Sequence, residues 1–147
     1  MFNFKRRINF FDCDPAGILF YGNIYFFCHS AYEELISSFN LKINYWQNDE
    51  FFVPIIKSSA DYLKPLKYGD ELTIEVCTTD LRESSFELNY KCSNQSGDIC
   101  AKVKTVHVLI DKKTWQKKEL SPEIKDGLRY HLISNWSLRE FKSLRTF

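Results

Sequence analysis

The sequence has few glycines and prolines, the residues typical of flexible linkers between domains. It also lacks the long apolar run that would mark a membrane-spanning segment. Only five glycines and four prolines occur among its 147 residues, and they form no flexible tract that would separate two domains. No apolar stretch approaches the roughly 18–20 residues that cross a bilayer. The first ten residues place basic side chains after apolar ones and lead into no apolar stretch, so we expect no signal peptide. These absences predict one domain over residues 1–147 that does not insert into a membrane.

A strong net charge and paired cysteine motifs are also absent. The net charge is +1, far from the excess of a chain-wide nucleic-acid binder, and an apolar content of 44% excludes wholesale disorder. The five cysteines form no Cys-x-x-Cys pair, which predicts reduced thiols in a cytoplasmic protein. Charge is uneven, because residues 101–147 carry +6 (11 basic minus 5 acidic) and residues 1–100 carry −5 (9 minus 14). The basic part suits either a small phosphorylated ligand or an ordinary solvated surface.

The second half of the chain has the alternating pattern of an antiparallel sheet. Residues 71–78 and 85–92 alternate apolar with polar side chains, a period of two that is typical of strands with one covered face. The turn-forming residues 94–98 predict a hairpin into another strand near 99–110. A further strand is predicted near 52–63, with Pro54 close to its start, where a missing N–H is tolerated.

One long helix is predicted early in the chain. Asn23 is a suitable N-cap, and apolar side chains follow it at helical spacing: Ile24, Phe27, Ala31 and Leu35. Aromatic residues surround the helix start, so we expect this end to be buried, while Glu33 and Glu34 face solvent or a partner. A short second helix is predicted after Ser121, with Pro122 at its first position. The order of elements predicts an α+β fold with a single long helix against a curled sheet.

The loop before this helix carries the residues best suited to chemistry. It contains Asp12 and Asp14 in the segment Phe11-Asp-Cys-Asp-Pro-Ala-Gly17, and it leads directly to the helix N-terminus. Free N–H groups at a helix start carry partial positive charge and stabilise an anion or a developing oxyanion. A carboxylate beside them could attack a carbonyl or take a proton from water. Asp14 could equally make only an Asx-type turn before Pro15.

This loop resembles the opening of the 4-hydroxybenzoyl-CoA thioesterase family, which has the hotdog fold. The resemblance covers about residues 5–131 and rests on these positions: Asp12-Cys13-Asp14-Pro15-Ala16-Gly17, Tyr21, Asn23, Pro54-Ile55-Ile56, Gly69-Asp70 and Arg82 to Phe86. It implies an antiparallel five-stranded sheet wrapped around one long central helix, and an acyl-CoA thioesterase activity. It also implies that Asp14 is the catalytic carboxylate and that the Tyr21 backbone N–H polarises the thioester carbonyl. Self-association is implied as well, as dimers with active sites between subunits or as tetramers.

A second set of residues resembles the 1,4-dihydroxy-2-naphthoyl-CoA hydrolases. These are Cys28-His29-x-Ala31-Tyr32-Glu33, Ser37-Ser38, Ser59-x-Asp61-Tyr62 and Lys104-Thr105-Val106-His107-Val108. The loop itself is closer to the 4-hydroxybenzoyl-CoA enzyme, but that enzyme type has an acid on the helix where this chain has His29. Both resemblances imply an aromatic acyl group, and the choice between the two substrates stays open.

Substrate-binding positions are also implied by the resemblance. They are Gly17, Asn23, His29, Ser59 and Arg82, the last being where the family places a basic residue. The candidates for binding the phosphates of coenzyme A are Arg82, Lys91, Lys102, Lys104, Lys112 and Lys113. Coenzyme A is part of the substrate, so no cofactor is predicted. No metal site is predicted either, because the loop acids have no His or Cys at ligand spacing.

Other residues are weaker candidates for chemistry. Glu33 or Glu34 could supply a base on the helix, although exposed acids are ordinary on helices. Cys13 is a poor candidate for a nucleophile, because its acidic neighbours raise a thiol pKa. His107 follows the strand pattern and is expected in the core, whereas His29 could equally be a plain surface or interface residue.

Two functions of other classes remain beside aromatic acyl-CoA hydrolysis. One is hydrolysis of short-chain or fatty acyl groups on CoA or acyl carrier protein, since the same fold and motif serve them. The other is a non-catalytic hotdog module that binds acyl-CoA or a partner protein. The presence of Asp14, Gly17 and Asn23 argues against the latter. Residues 132–147 lie beyond the resemblance and form a C-terminal extension of unknown role.

Overall fold

Five antiparallel strands form the main sheet in the computed structural model, which describes residues 1–133. The strands are β1 (Phe2–Arg7), β3 (Ile55–Tyr62), β4 (Glu71–Leu81), β5 (Ser85–Ser93) and β6 (Ile99–Val108). Their order across the sheet is β1-β4-β5-β6-β3. A separate ladder pairs β2 (Phe51–Phe52) with β7 (Ile110–Asp111), so the strands predicted near 52–63 and 99–110 are each divided in two. The predicted five-stranded antiparallel sheet is confirmed.

One face of the sheet carries the core. Along β5, Phe86, Leu88, Tyr90 and Cys92 are buried, and the residues between them are half-buried. Directly paired residues of neighbouring strands point to the same side, so the residues of β4 and β6 that pair with these four share this inner face. Each fully buried apolar side chain stabilises the fold by roughly 1.5–3 kcal/mol, and a one-residue slip would expose the whole set. The alternation therefore specifies the register.

Helix α1 (Asn23–Ser37) packs across this inner face. Its buried residues are Ile24, Phe27, Cys28, Ala31, Tyr32, Leu35 and Ile36. Cys28 Sγ lies 4.0 Å from Cys92 Sγ, and the Tyr32 ring centre lies 6.4 Å from that of Phe86. The helix therefore starts at the end of the sheet that holds Cys92 and runs toward the end that holds Phe86. The opposite face of the sheet, turned away from α1, is the outer face.

Two expectations about the helix start are wrong. Asn23 is the first helical residue rather than the N-cap, which is Gly22, because its side chain bonds back to the preceding loop. Most of the aromatic residues around the start are exposed rather than buried, and Phe26 is 67% exposed. The sequence shows which residues are apolar, but it does not show whether another part of the same chain covers them.

A second helix and a short backbone pairing complete the described residues. Helix α2 (Pro122–Tyr130) follows Ser121, whose Oγ accepts a hydrogen bond from the Ile124 N–H, so the predicted second helix is confirmed. Beyond it, the Ile133 N–H donates to the Thr78 carbonyl of β4. The remainder of the predicted C-terminal extension, residues 134–147, lies outside the described residues. Neither helix within residues 1–133 has the length and apolar character needed to cross a bilayer.

Candidate active site

Asp12, the first acid of the loop before α1, has a structural role. It is buried; its Oδ2 accepts from the Asn9 N–H at 2.8 Å and its Oδ1 pairs with the Arg6 guanidinium at 3.3 Å. That guanidinium lies 4.1 Å from the centre of the Phe27 ring on α1, a cation–π contact. Asp12 thus joins β1, the loop and the helix.

The backbone of the loop is also tied to the helix start. The Asp12 carbonyl accepts hydrogen bonds from the Asn23 side-chain amide at 2.8 Å and from the Phe20 N–H at 3.0 Å. Gly17 has a φ of +78°, where any larger residue would be strained, and its carbonyl accepts from the Tyr68 N–H. Gly17 and Asn23, which were assigned to substrate binding, both make contacts that shape this loop.

Asp14 keeps one carboxylate oxygen available. Its Oδ1 accepts from the Ala16 N–H at 2.9 Å and lies 3.4 Å from the Ile18 nitrogen. This is the Asx-type turn considered from the sequence, and it holds the side chain in one orientation. Oδ2 has no hydrogen-bond partner within residues 1–133. The turn and a reactive role are therefore compatible, because they use different oxygens.

Two backbone donors lie where the loop meets α1. The Phe20 carbonyl accepts from the Asn23 N–H at 2.9 Å, and the Tyr21 carbonyl accepts from the Tyr62 hydroxyl at 2.6 Å. The N–H groups of Tyr21 and Gly22 have no acceptor in the described part of the chain. They precede the first turn of α1, where the helix dipole is positive. Such donors suit the oxygen of a polarised carbonyl.

A cavity of about 500 Å³ connects Asp14 with the helix start. Its walls are Asp14, residues 18–21, Ile24, residues 62–66, Cys100 and Ala101. Most of these side chains are apolar, and Lys64 is paired with Asp98 at 3.4 Å. Small-molecule sites typically enclose about 300–1,000 Å³ behind apolar walls with a few polar groups. The cavity therefore combines a carboxylate, nearby backbone donors and apolar walls in one concave site.

The cavity walls at the end of β3 and the start of β6 were not predicted from the sequence. Tyr62 belongs to the resemblance without an assigned role, and no site role is predicted for Leu63, Pro65, Leu66 or Cys100. These segments meet because the Leu63 N–H donates to the Cys100 carbonyl and the Leu66 carbonyl accepts from the loop. Pro65, two residues after the strand predicted near 52–63, is a sequence signal that the chain turns there.

None of the five residues assigned to substrate binding lines the cavity in a single chain, and three of them also lie away from the loop that carries Asp14. His29 is exposed on α1, with its ring centre 5.9 Å from that of Trp46. Ser59 is exposed on β3. Arg82 is exposed in the β4–β5 hairpin, where its Nε lies 2.9 Å from an Asp80 carboxylate oxygen.

Arg82 and Asp14 lie at opposite ends of the sheet. Arg82 is close to Phe86, whereas Ala101 at the cavity pairs with Cys92. The six steps along the strand from Phe86 to Cys92 span about 20 Å at the rise of a β-strand. Contact of both residues with one ligand requires an extended molecule, a second chain, or both.

The candidate phosphate-binding lysines divide into two groups. Lys91, Lys102 and Lys104 lie on the outer face, and the first and last of them pair with glutamates. Lys112 and Lys113 directly follow β7. The residue before β7, Leu109, donates its N–H to the Ser84 carbonyl, so this segment lies beside the β4–β5 hairpin. Only the second group shares an end of the sheet with Arg82.

The other reactive side chains are less suited to catalysis. His107 is fully buried, as predicted; its Nε2 lies 2.7 Å from Thr105 Oγ1, and its ring stacks on Phe86 at 4.6 Å. Burial lowers the pKa of His107 to about 3, so the ring is neutral. Burial and the two neighbouring aspartates raise the pKa of the Cys13 thiol. Within residues 1–133, no three His, Cys, Asp or Glu side chains are placed to hold a metal ion.

Known proteins are similar to this chain in sequence and in fold. Residues 8–128 match the thioesterase-like superfamily. The chain is 34% identical over 131 residues to a 1,4-dihydroxy-2-naphthoyl-CoA hydrolase of Trichodesmium erythraeum, which covers 86% of this chain and 94% of the relative. A hydrolase of the same name from Nostoc punctiforme is 36% identical over 125 residues, covering 84% and 83%. The crystal structure of a 1,4-dihydroxy-2-naphthoyl-CoA thioesterase from Synechocystis superposes with a TM-score of 0.81 at 27% identity, covering 87% of this chain and 95% of that one. The chain therefore belongs to the thioesterase-like superfamily, and its fold is the hotdog fold.

Proposed function

We propose that this protein hydrolyses the thioester of an aromatic acyl-CoA, with Asp14 as nucleophile or general base. The observation that carries the proposal is the setting of Asp14, which has one oxygen held in a turn and lines an apolar cavity at the start of α1. The family and the names of the similar hydrolases support the same reaction. The cytoplasmic location suggested by the unpaired cysteines stays a prediction.

The residues at the cavity fit both requirements of thioester hydrolysis. The thioester oxygen would accept hydrogen bonds from the N–H groups of Tyr21 and Gly22, which makes the carbonyl carbon more electrophilic. The free oxygen of Asp14 would attack that carbon, release the thiolate of coenzyme A and form a mixed anhydride that water hydrolyses. Alternatively it would take a proton from a water molecule that attacks the carbon directly. Both routes yield the carboxylic acid and free coenzyme A, without a metal or redox cofactor.

The acyl group in this proposal is aromatic. Phe20, Tyr21 and Tyr62 contribute to the cavity walls, and aromatic side chains favour stacked or edge contacts with another ring. Several similar proteins are named for 1,4-dihydroxy-2-naphthoyl-CoA, which makes it the first substrate to test. 4-Hydroxybenzoyl-CoA is the second, because of the sequence of the loop.

A second copy of the chain completes the proposed site. Among the described residues β3 has a strand partner on one side only, and Ile55 and Ile56 are exposed on it. Antiparallel pairing of two β3 strands about a two-fold axis reverses one sheet relative to the other. The end of one sheet that carries Arg82 would then lie beside the Asp14 end of its partner. Pairing of such dimers would give the tetramer implied by the resemblance.

Arg82 is proposed to contact the phosphates of the substrate from this position. It is exposed and already paired with Asp80, so its contribution to affinity is small. Arg82→Ala should raise KM about 2–5-fold with little change in kcat. The matched control is Arg129→Ala, which removes an exposed arginine that is paired with Asp126 on α2. Equal KM values for the two variants would remove Arg82 from the substrate site.

The proposed function is tested with a panel of thioesters. The panel contains 1,4-dihydroxy-2-naphthoyl-CoA, 4-hydroxybenzoyl-CoA, short-chain and long-chain acyl-CoA, and an acyl carrier protein thioester. We expect kcat/KM for an aromatic substrate to exceed that for the aliphatic ones at least about tenfold. Preference for an aliphatic substrate would replace the proposed acyl group. Binding of acyl-CoA without turnover of any thioester would indicate the non-catalytic module instead.

A further inference from the structure

We propose that Tyr62 is a positioning residue for this reaction, because its hydroxyl fixes the peptide that joins Tyr21 to Gly22. The proposal rests on the function proposed above. Tyr62 is the last residue of β3, and its hydroxyl donates a 2.6 Å hydrogen bond to the Tyr21 carbonyl. The bond therefore links the sheet directly to the turn that presents the backbone donors.

This turn has few other restraints. The preceding peptide is held through the Phe20 carbonyl, which accepts from the Asn23 N–H at 2.9 Å. The Tyr21 side chain is 66% exposed, and the centre of its ring lies 4.8 Å from that of Phe20. Within residues 1–133, the Tyr62 hydroxyl makes the one side-chain hydrogen bond to the Tyr21–Gly22 peptide. Loss of that bond would leave this peptide free to rotate.

The direction of the carbonyl determines the direction of a donor. A trans peptide is planar, so its C=O and its N–H point to opposite sides. Holding the Tyr21 carbonyl therefore orients the Gly22 N–H, and the hydrogen bond polarises that N–H into a stronger donor. The Tyr21 N–H belongs to the preceding peptide, whose Phe20 carbonyl accepts from the Asn23 N–H, so its direction is fixed in the same way. Both donors are thus oriented before substrate binds, which is the condition for effective oxyanion stabilisation.

The hydroxyl of Tyr62 is suited to donate at neutral pH. Burial, as the largest cause, raises the pKa of Tyr62, so the phenol keeps its proton. The ring of Tyr62 also forms part of the cavity wall. An experiment must therefore separate the hydroxyl, which would act on the donors, from the ring, which would contact the acyl group.

The kinetic test uses three variants with the aromatic substrate that the panel identifies. Tyr62→Phe removes only the hydroxyl, and we expect kcat to fall roughly 10–100-fold while KM changes less than about twofold. Tyr62→Leu removes the ring as well, and we expect a raised KM in addition. The control is Tyr68→Phe, because Tyr68 lies in the neighbouring loop with its ring against Phe10 and should leave both constants unchanged. A Tyr62→Phe enzyme with normal kcat, or equal losses in the Tyr62→Phe and Tyr68→Phe enzymes, would overturn the proposal.

A spectroscopic test reports the same bond without turnover. The chain has five glycines, and only Gly22 and Gly69 follow tyrosines. Labelling with carbonyl-¹³C tyrosine and ¹⁵N glycine therefore gives two glycine amide signals in which the ¹⁵N is coupled to a ¹³C carbonyl. Tyr68→Phe removes that coupling from the Gly69 signal, so both signals can be assigned. In Tyr62→Phe the Gly22 signal should shift and its amide should exchange faster, while the Gly69 signal stays in place. An unmoved Gly22 signal would overturn the proposal.

The two tests separate this proposal from the proposed function. If wild-type protein hydrolyses none of the thioesters, the proposed function fails, and the Gly22 signal alone decides whether Tyr62 holds the turn. If wild-type protein is active and Tyr62→Phe retains full kcat, the function stands and the role of Tyr62 is rejected.

Discussion

At the residue scale, the two acids of the loop differ in their surroundings. Asp12 is buried with partners for both oxygens, whereas Asp14 is half-buried with one oxygen held and the other open. A buried, paired carboxylate stabilises the loop, and a carboxylate with an open side can reach a substrate. Spacing in the sequence cannot separate these roles, because both acids belong to the same short motif. The resemblance selected Asp14, and its catalytic role stays a prediction.

The structural role of Asp12 leads to the first prediction. Asp12→Ala removes the acceptor of the Asn9 N–H and leaves the Arg6 guanidinium without its partner, so it should cost about 2 kcal/mol of unfolding free energy. The backbone bonds of Asp12 to the helix start do not involve its side chain, so kcat per folded molecule should change little. Urea denaturation and steady-state kinetics measure the two effects.

Asp12→Asn is the matched control for this prediction. The amide oxygen can still accept from the Asn9 N–H but carries no charge for Arg6, so the loss of stability should be intermediate. A stable Asp12→Ala protein that has lost catalysis would contradict the structural role.

At the element scale, the strands and helices were predicted correctly where apolar residues recur at a regular spacing and a single face of the element is buried. Leu88 and Tyr90 alternate with polar residues and lie on the inner face as predicted. Pro54 and the bulge between Ile55 and Lys57 interrupt the predicted strand, because the chain before it pairs with β7 instead of β6. That change of partner depends on a contact between distant segments, which no local pattern specifies.

The candidate site likewise includes a part that local sequence patterns do not predict. Its loop was predicted because Asp14 and Gly17 belong to one short segment that carries the family resemblance. The wall formed by Tyr62 and Cys100 was not predicted, since it arises from the pairing of β3 with β6. The sequence thus pointed to a candidate carboxylate but not to the apolar wall of the cavity beside it.

The buried histidine of β6 leads to a prediction about pH. Burial lowers the pKa of His107 to about 3 in the folded protein, while the unfolded chain has the ordinary value near 6.5. The unfolded state therefore binds more protons between these values. The stability linked to His107 is fully present above about pH 6.5, decreases as pH falls, and is lost by about pH 3. Between pH 7 and pH 5 this group alone should remove about 2 kcal/mol from the unfolding free energy.

The measurement is urea denaturation of wild type and His107→Gln at pH 7, 6 and 5. The variant is less stable at pH 7 but lacks this titrating group, so its stability should fall about 2 kcal/mol less over the same range. Burial also lowers the pKa of His131, which contributes in the same direction in both proteins. Parallel pH profiles for the two proteins would contradict the assignment to His107.

At the scale of the whole molecule, two observations favour a dimer that is paired through β3. One is the exposed apolar surface on that strand, and the other is the separation of Arg82 from the cavity beside Asp14. Ile56 on β3 is 63% exposed, at a sheet edge that has no strand partner among residues 1–133. Pairing two such edges covers this surface and brings Arg82 toward the partner's cavity. The assembly and the completed site are therefore one proposal, and a change at the edge should affect both.

Ile56→Lys tests this link. A lysine on an exposed edge disfavours pairing, so we expect the wild-type dimer or tetramer to dissociate toward monomer and kcat/KM to fall together. Sedimentation velocity at micromolar concentration and kinetics at the same concentration measure both. Tyr130→Lys changes a residue of α2 that is 83% exposed and is not part of the β3 edge, and it should alter neither. A wild-type protein that is monomeric and fully active would refute the arrangement.

The most direct test of the central claim is the turnover number of Asp14→Asn on the best aromatic acyl-CoA. The variant keeps the size of the side chain and removes the negative charge that attack or proton removal requires. We predict a kcat lower by about 10²–10⁴ with KM and melting temperature nearly unchanged, while Glu33→Gln and Glu34→Gln, on the exposed side of α1, keep normal kcat. If folded Asp14→Asn retains more than about a tenth of wild-type kcat, Asp14 is not the catalytic base, and Glu33, Glu34 and His29 become the candidates.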